Sequence, residues 1–561
     1  MRFQTARNAT GLFDGPRRTP FTAFRSLVRL APLSILLAHS FTRSFLFVLT
    51  AFTVIASFLL GGGTRSGMVS DAILELLALP LLLCGLWRWR DIPADRRPRS
   101  IFILCAASAL LLSMQLLPLP PALWTMLPHR QPIIESIQSI QRDLPWMPMS
   151  VDPLLTLASL LTMIAPLSVF IAASCLEGEQ RRHLALLILP MSAVSVFLGL
   201  LQVAQGEDSP LRFFNYTNPT EAVGFFANRN HFSAFLYCAI LFASTWLAET
   251  ASKAAPADSK HRFEMTSFVA ATAAATLIVI LLSGQAMARS RAGIALTLLA
   301  LIGAIAIAYA KRRDIQANGS SNRLLLGAIT VGAILPAPFA LYRVLDRFDA
   351  GMFDETRWAI AIRAMDAART FFPFGAGIGT FVPVYAGFER PEDAVVNAYV
   401  NHAHNDLLEL FLESGVIGVG VAAAFVGWWA RSSWRIWRGP SASRLALEEP
   451  YARAATLAVA LLLLHSLVDY PLRTATMTTI FALACALMID PPLVAANRQR
   501  DHSDDGPSRR KSAKAPPTRP ISIATPNAEA PRPRASAAPV IDWPTEPKGA
   551  RRQTSVREKA E

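Results

Sequence analysis

The 561-residue sequence predicts an all-α, polytopic integral membrane protein, with about twelve transmembrane helices and one large loop on the outer side. Three observations carry the prediction. The chain is 52% hydrophobic and only 17% charged, with a mean hydropathy of +0.35, a balance that soluble multidomain proteins do not have. Apolar runs long enough to cross a bilayer recur along it. Loops crowded with arginine alternate with loops that hold few basic residues, as orientation signals do. The net charge of +14 therefore reads as topology and tail, and nucleic acid is not an expected partner.

In order, residues 1–43 carry seven arginines and one acid and are expected to form a cytoplasmic N-terminal segment. Residues 44–342 form the first part of the membrane bundle, helices one to nine. Their apolar runs lie near 44–62, 70–87, 100–118, 154–175, 184–204, 231–248, 267–284, 292–310 and 324–342. Residues 343–406 are the longest extramembrane segment between helices. Residues 407–490 close the bundle with runs at 407–430, 453–470 and 474–490. Arg88, Arg90, Arg96, Arg97 and Arg99, then Lys311, Arg312, Arg313 and Arg323, then Arg431, Arg435, Arg438 and Arg444 fall on the side of the N-terminus in this count, which places both termini in the cytoplasm. Reporter fusions at residues 95, 316 and 440 are expected to read cytoplasmic and one at 390 to read external; an external signal at 316 would break the topology. The tail, 491–561, is rich in proline, arginine, serine and alanine and too poor in large apolar residues to bury a core, so it is expected to be disordered, and basic clusters such as Arg509–Lys511 suit anionic lipid heads.

No metal and no cofactor is expected. Cys84, Cys105, Cys175, Cys238 and Cys485 lie in apolar runs, outside any CxxC or Cys/His pattern. The glycines of Gly375–Gly379 resemble a dinucleotide fingerprint in spacing alone, with no strand before them.

Chemistry concentrates on the outer side. His402 and His404 precede an apolar run that holds Asp406, Glu409 and Glu413. On a helix, positions 402, 406, 409 and 413 share one stripe, and acids at membrane depth must face protein or water. A titratable histidine there is placed to move protons at the membrane surface, although Asn405 and Asp406 equally suit helix caps. On that stripe His402 pairs with Asp406 as a structural partner, so its loss should leave much activity, whereas His404 points to the other side. Asn228–His231 (NRNH) opens a helix with amides, Arg229 and a histidine, a combination that suits either capping or an anion. Arg289 and Arg291 sit between two helices on the side poor in positive charge, as interfacial residues or as ligands for an anionic group. Residues 354–371 predict an amphipathic helix with Trp358, Ile362, Met365 and Ala368 on its apolar face, and Arg357 and Arg363 among them. His465 and Asp469, four apart, share a helix face.

These motifs, taken together over residues 220–475, resemble the bacterial O-antigen ligase and polymerase superfamily, which includes exopolysaccharide polymerases. The carriers are Asn228–His231; Ser290–Gly293 (SRAG, with alanine in place of a first glycine); Arg357 and Trp358 followed by Gly375–Phe381; His402, His404, Asn405, Glu413, Gly415 and Gly418; and His465–Leu472 (HSLVDYPL). The resemblance implies a glycosyltransferase of the cell inner membrane that moves a glycan from undecaprenyl diphosphate to an acceptor hydroxyl on the periplasmic face. The acceptor is then lipid A core or a growing polysaccharide. It assigns catalysis to His404 and the donor diphosphate to Arg291 and Arg357. By extension Arg229, Asn230, His231 and Asp469 are expected to bind substrate, with Asn405, His465 and Glu413 in support. Arginine stays charged and binds phosphate oxygens with two donors, and a histidine is tuned for an acceptor proton. The rival reading is a transporter of polysaccharide or lipid-linked solute, against which stands the absence of a repeated half with paired broken helices.

Overall fold

The computed structural model describes residues 44–64, 68–93, 97–214, 217–254, 265–315, 355–392, 394, 399–439 and 448–491. The N-terminal segment 1–43, the ninth apolar run 324–342, residues 343–354 of the long loop and the tail beyond 491 lie outside the described residues. Among those described, the chain is helical apart from one pair of two-residue strands, β1 (Pro118–Leu119) and β2 (Met147–Pro148), which are antiparallel.

The helices follow the apolar runs. They are α1 (Ser44–Leu60), α2 (Val69–Trp89), α3 (Arg99–Leu116), two short helices α4 (Pro121–Trp124) and α5 (Gln131–Ser139), then α6 (Pro153–Thr162), α7 (Ile164–Cys175), α8 (Gly178–Gln205), α9 (Arg229–Ala254), α10 (Met265–Ala288) and α11 (Arg291–Ile315). After the undescribed stretch come α12 (Glu355–Thr370), α13 (Phe381–Ala386), α14 (Asp406–Arg438), α15 (Glu449–His465) and α16 (Ala475–Leu487). Eight spans among the described residues are long and apolar enough to cross a membrane, α6 and α7 together making one, with α1 and α16 shorter apolar helices.

The run 154–175 is not one straight helix. Pro166 has no N–H and its ring crowds the carbonyl four residues back, and the helix breaks at Met163. The run 453–470 ends early as well. α15 stops at His465, and a turn with a 3-10 segment at Pro471–Arg473 leads into α16. His465 and Asp469 therefore do not share a helix face.

The core is built around α9, whose apolar window is 94% buried, against α8, α10, α11 and α15. A second, smaller core joins the long loop to α14. It is made by Ile360, Ala364, Ala367, Ala368, Phe371, Phe381, Val384, Tyr385 and Leu412. α12 is thus amphipathic by a different face from the one its bulky residues suggest. Its alanines pack, because small side chains let α12 approach α14 closely, while Trp358 and Ile362 stay exposed.

Candidate active site

α14 starts at a cap. Asn405 accepts from Leu408 N (3.0 Å) and donates its Nδ2 to Leu467 O (3.0 Å). Ten residues later the helix breaks at Gly415, with φ 57° and ψ −147°, a region closed to residues with a Cβ. The glycine turn 375–379 fills the break. Ala376 N and Gly377 N donate to Leu412 O and Glu413 O (both 2.9 Å), and Val416 N donates to Pro373 O (3.0 Å). Gln115 of α3 locks the same junction, donating to Glu413 O (3.0 Å) and accepting from Ile378 N (2.9 Å). Backbone groups freed inside an apolar helix must find partners in protein, and here the turn supplies them.

The acid stripe faces inward as expected. Glu409 and Glu413 are fully buried. Their partner is Arg473, just before α16, whose guanidinium lies 3.3 Å from Asp406, 3.4 Å from Glu409 and 2.9 Å from Glu413. Each acid also holds something else. Asp406 accepts from Ser466 Oγ (2.7 Å), Glu409 from Ala403 N (2.8 Å), and Glu413 from Gly379 N (2.9 Å) and Phe381 N (3.3 Å).

His402 precedes the helix and takes no place on its stripe. Its ring bonds Glu409 Oε1 (2.8 Å) rather than Asp406, and Thr64 O (3.0 Å) on its other side. Burial alone would lower its pKa, but the Glu409 carboxylate outweighs that and holds it above the ordinary histidine value.

His404 has a left-handed backbone, φ 51°, and its side chain meets the turn after α15. Its Nδ1 lies 3.1 Å from Asp469 Oδ1, and its side chain is 23% exposed whereas Asp469 is 1% exposed. Asp469 also accepts from Asn230 Nδ2 of α9 and from Tyr470 N. Burial would raise the Asp469 pKa, but the hydrogen bond from His404 and the neighbouring histidines hold it well below the usual carboxylate range. Tyr470 is the common wall. Its ring meets His402 at 4.3 Å, His231 at 4.9 Å and His404 at 5.0 Å between centroids.

The remaining residues divide. Arg357 reaches the same turn, with Nη1 3.3 Å from Val468 O, one residue from Asp469. Arg291 is exposed at the start of α11. That end of α11 packs on the first turns of α9, so closely that a Cβ on Gly293 would stand 1.7 Å from Ser233 Oγ. Arg229 is ion-paired with Glu221. His231 and His465 are fully buried, and His465 Nδ1 lies 3.2 Å from Tyr237 OH. Asn230, His231 and Asp469, expected to touch substrate, are buried beneath the accessible surface. Sequence reasoning assigned no role to Arg473, Tyr470, Gln115 or Glu221. Tyr470 lies inside the HSLVDYPL motif and Arg473 directly follows it, so that motif was the available signal; Gln115 and Glu221 lie in no motif.

A family model described as O-antigen ligase (Wzy_C) matches residues 275–423, the segment that holds Arg291, Arg357, His404, Asn405 and Glu413. Asn230, Asp469 and Arg473 stand outside it, brought in by the fold. No curated protein sequence matches the chain. The apolar helices are those of a multi-pass membrane protein, and the matched segment, which includes the histidine at the head of α14, is similar to the O-antigen ligase family.

Proposed function

We propose that the protein joins glycans at the periplasmic face of the inner membrane, taking a glycan from an undecaprenyl diphosphate donor and passing it to a hydroxyl of lipid A core or of a growing polysaccharide. The observation that carries this reading is the His404–Asp469 pair with Arg357 beside it. A carboxylate on Nδ1 fixes the imidazole as the Nδ1–H tautomer and leaves the lone pair on Nε2. His404 then accepts the acceptor's hydroxyl proton at Nε2 as the oxygen attacks the anomeric carbon. The bond from that carbon to the diphosphate breaks, and the lipid diphosphate leaves with the electron pair. A single displacement inverts the anomeric centre. The leaving group is already anionic, so the protein's task there is to hold charge.

Arg357 and Arg291 hold the diphosphate. Arg229, its charge balanced by Glu221, fixes the loop before α9, while Asn230 and Asp469 orient His404. His231 and His465 pack beneath them. Asn405 and Glu413 hold the head of α14 and the glycine turn.

In a strain lacking the gene, complementation by Arg357→Ala or Arg291→Ala is expected to lower transfer about 10- to 100-fold, the scale of a lost hydrogen bond to a charged group. Arg→Lys should remain impaired, because an ammonium keeps charge without the fork. The measurement is surface polysaccharide sized on a gel at matched protein levels. Wild-type product with Arg291→Ala would remove Arg291 from the site. Loss of all attached chains in the deletion strain marks a ligase, and single-repeat products mark a polymerase.

A further inference from the structure

His402 has an unusual pair of neighbours. Nδ1 faces Glu409 Oε1 at 2.8 Å and Nε2 faces the Thr64 carbonyl at 3.0 Å. A carbonyl oxygen only accepts. The Glu409 carboxylate is itself ringed by donors, Ala403 N at 2.8 Å on Oε2 and Arg473 Nη1 at 3.4 Å on Oε1, which fits the ionised form. A neutral imidazole carries one N–H and would satisfy one of these acceptors; the imidazolium satisfies both.

We infer that His402 is held as an imidazolium and that, with Arg473, it forms a two-cation clamp on Asp406, Glu409 and Glu413 that positions the His404 loop against the Asp469 turn. Each carboxylate in the clamp holds a different segment. Glu409 holds Ala403 and so the backbone entering His404. Asp406 holds the turn after α15 twice, through Ser466 Oγ at 2.7 Å and through its own N–H to Ser466 O at 2.8 Å. Glu413 holds the glycine turn at Gly379 and Phe381. Thr64 adds the end of α1, a segment whose Gly61 O and Gly62 O accept from Thr476 N and Ala227 N (both 3.0 Å). His402 and Arg473 are therefore positioning residues, and neither is a base. The mild effect expected for His402 loss gives way, since that expectation placed it on the helix beside Asp406.

The groups facing His402 are Asp406, Glu409 and Glu413 from α14, Arg473 and Tyr470 from the turn before α16, and His231 from α9. Its folded pKa is raised above the unfolded value. The clamp's stabilisation is then complete below about pH 6.5, the ordinary histidine value, and is lost as pH rises through the folded pKa.

The test uses the purified full chain in detergent with histidine-selective 15N labelling. At about pH 7.5, one unit above the ordinary value, one histidine should show both ring nitrogens protonated, and His402→Gln should remove that signal. The thermal midpoint of the wild type should fall from about pH 6.5 upward, and that fall should be absent in His402→Gln. A neutral His402 at about pH 7.5, or the same pH profile in both proteins, overturns the clamp. If His402→Gln does not accumulate, diethyl pyrocarbonate decides on the wild type, because it modifies neutral imidazole. Modification of His402 should be negligible near about pH 6.5 and set in only as the pH rises; ready reaction of His402 near about pH 6.5 overturns the inference. The role in positioning for glycan transfer rests on the reading above. Arg473→Lys should cut transfer with unchanged donor binding, since one ammonium does not span three carboxylates. Wild-type transfer in that variant overturns the positioning role, whereas loss of transfer in the wild type itself counts against the transfer reading and leaves the nitrogen signal as the clamp's own test.

Discussion

Replacing His404 by alanine is expected to lower glycan transfer by about 10²–10⁴-fold, the usual worth of general acid–base assistance, with membrane levels and thermal stability close to wild type. The side chain makes one hydrogen bond, to Asp469, and is 23% exposed, so its removal opens no large cavity. The left-handed φ of 51° at this position is no obstacle to the test, since His404→Asn keeps a residue that tolerates this conformation and removes the base. Both variants should fail in a complemented deletion strain. Asp469 is a different case. Asn230 Nδ2, His404 and Tyr470 N all converge on its carboxylate, so its loss would disturb folding and catalysis together and would be harder to interpret.

Gly415→Ala is expected to cost more stability than any other single change at the site. The glycine sits at φ 57°, ψ −147° inside α14, a conformation that costs about 1–3 kcal/mol for a residue with a side chain. A Cβ there would also stand 1.8 Å from Pro373 O and 2.6 Å from Pro373 C. These are backbone atoms of the segment that fills the helix break, so relief requires the turn to leave and strands Ala376 N, Gly377 N and Val416 N. The variant should accumulate poorly or melt well below wild type. Gly420→Ala, one turn on with nothing within 4 Å of its Cβ, is the control and should be stable. A wild-type melting temperature for Gly415→Ala would contradict the packed-break account.

How much of this was legible in the sequence follows from the range of each interaction. Spans came from composition and length, because apolar runs in a bilayer have few alternatives to helix. The inward-facing acids followed from the cost of charge in lipid, and Glu409 and Glu413 are buried. The arrangement around His404 was not legible. A helical wheel extended back through His402 gave it Asp406 as a partner, but Asn405 caps the helix and the chain before it turns at His404, which hands His402 to Glu409. The His465–Asp469 pair failed for the same reason, a helix ending earlier than its apolar run. The α12 face was misassigned because bulky residues weigh more in a sequence pattern than the alanines that permit close packing. Arg473 was hidden by distance, since its three acids lie 60 to 67 residues earlier in the chain.

The most direct test of the central claim places the purified protein in liposomes with an undecaprenyl-diphosphate-linked glycan, an acceptor and a chelator, and follows the lipid diphosphate. The account predicts that wild type releases undecaprenyl diphosphate in step with glycosylated acceptor, with or without the chelator, and that His404→Ala binds donor but releases none. Contradiction would be equal release by His404→Ala, or a wild-type protein that moves the intact lipid-linked glycan across the bilayer without breaking its bond to diphosphate.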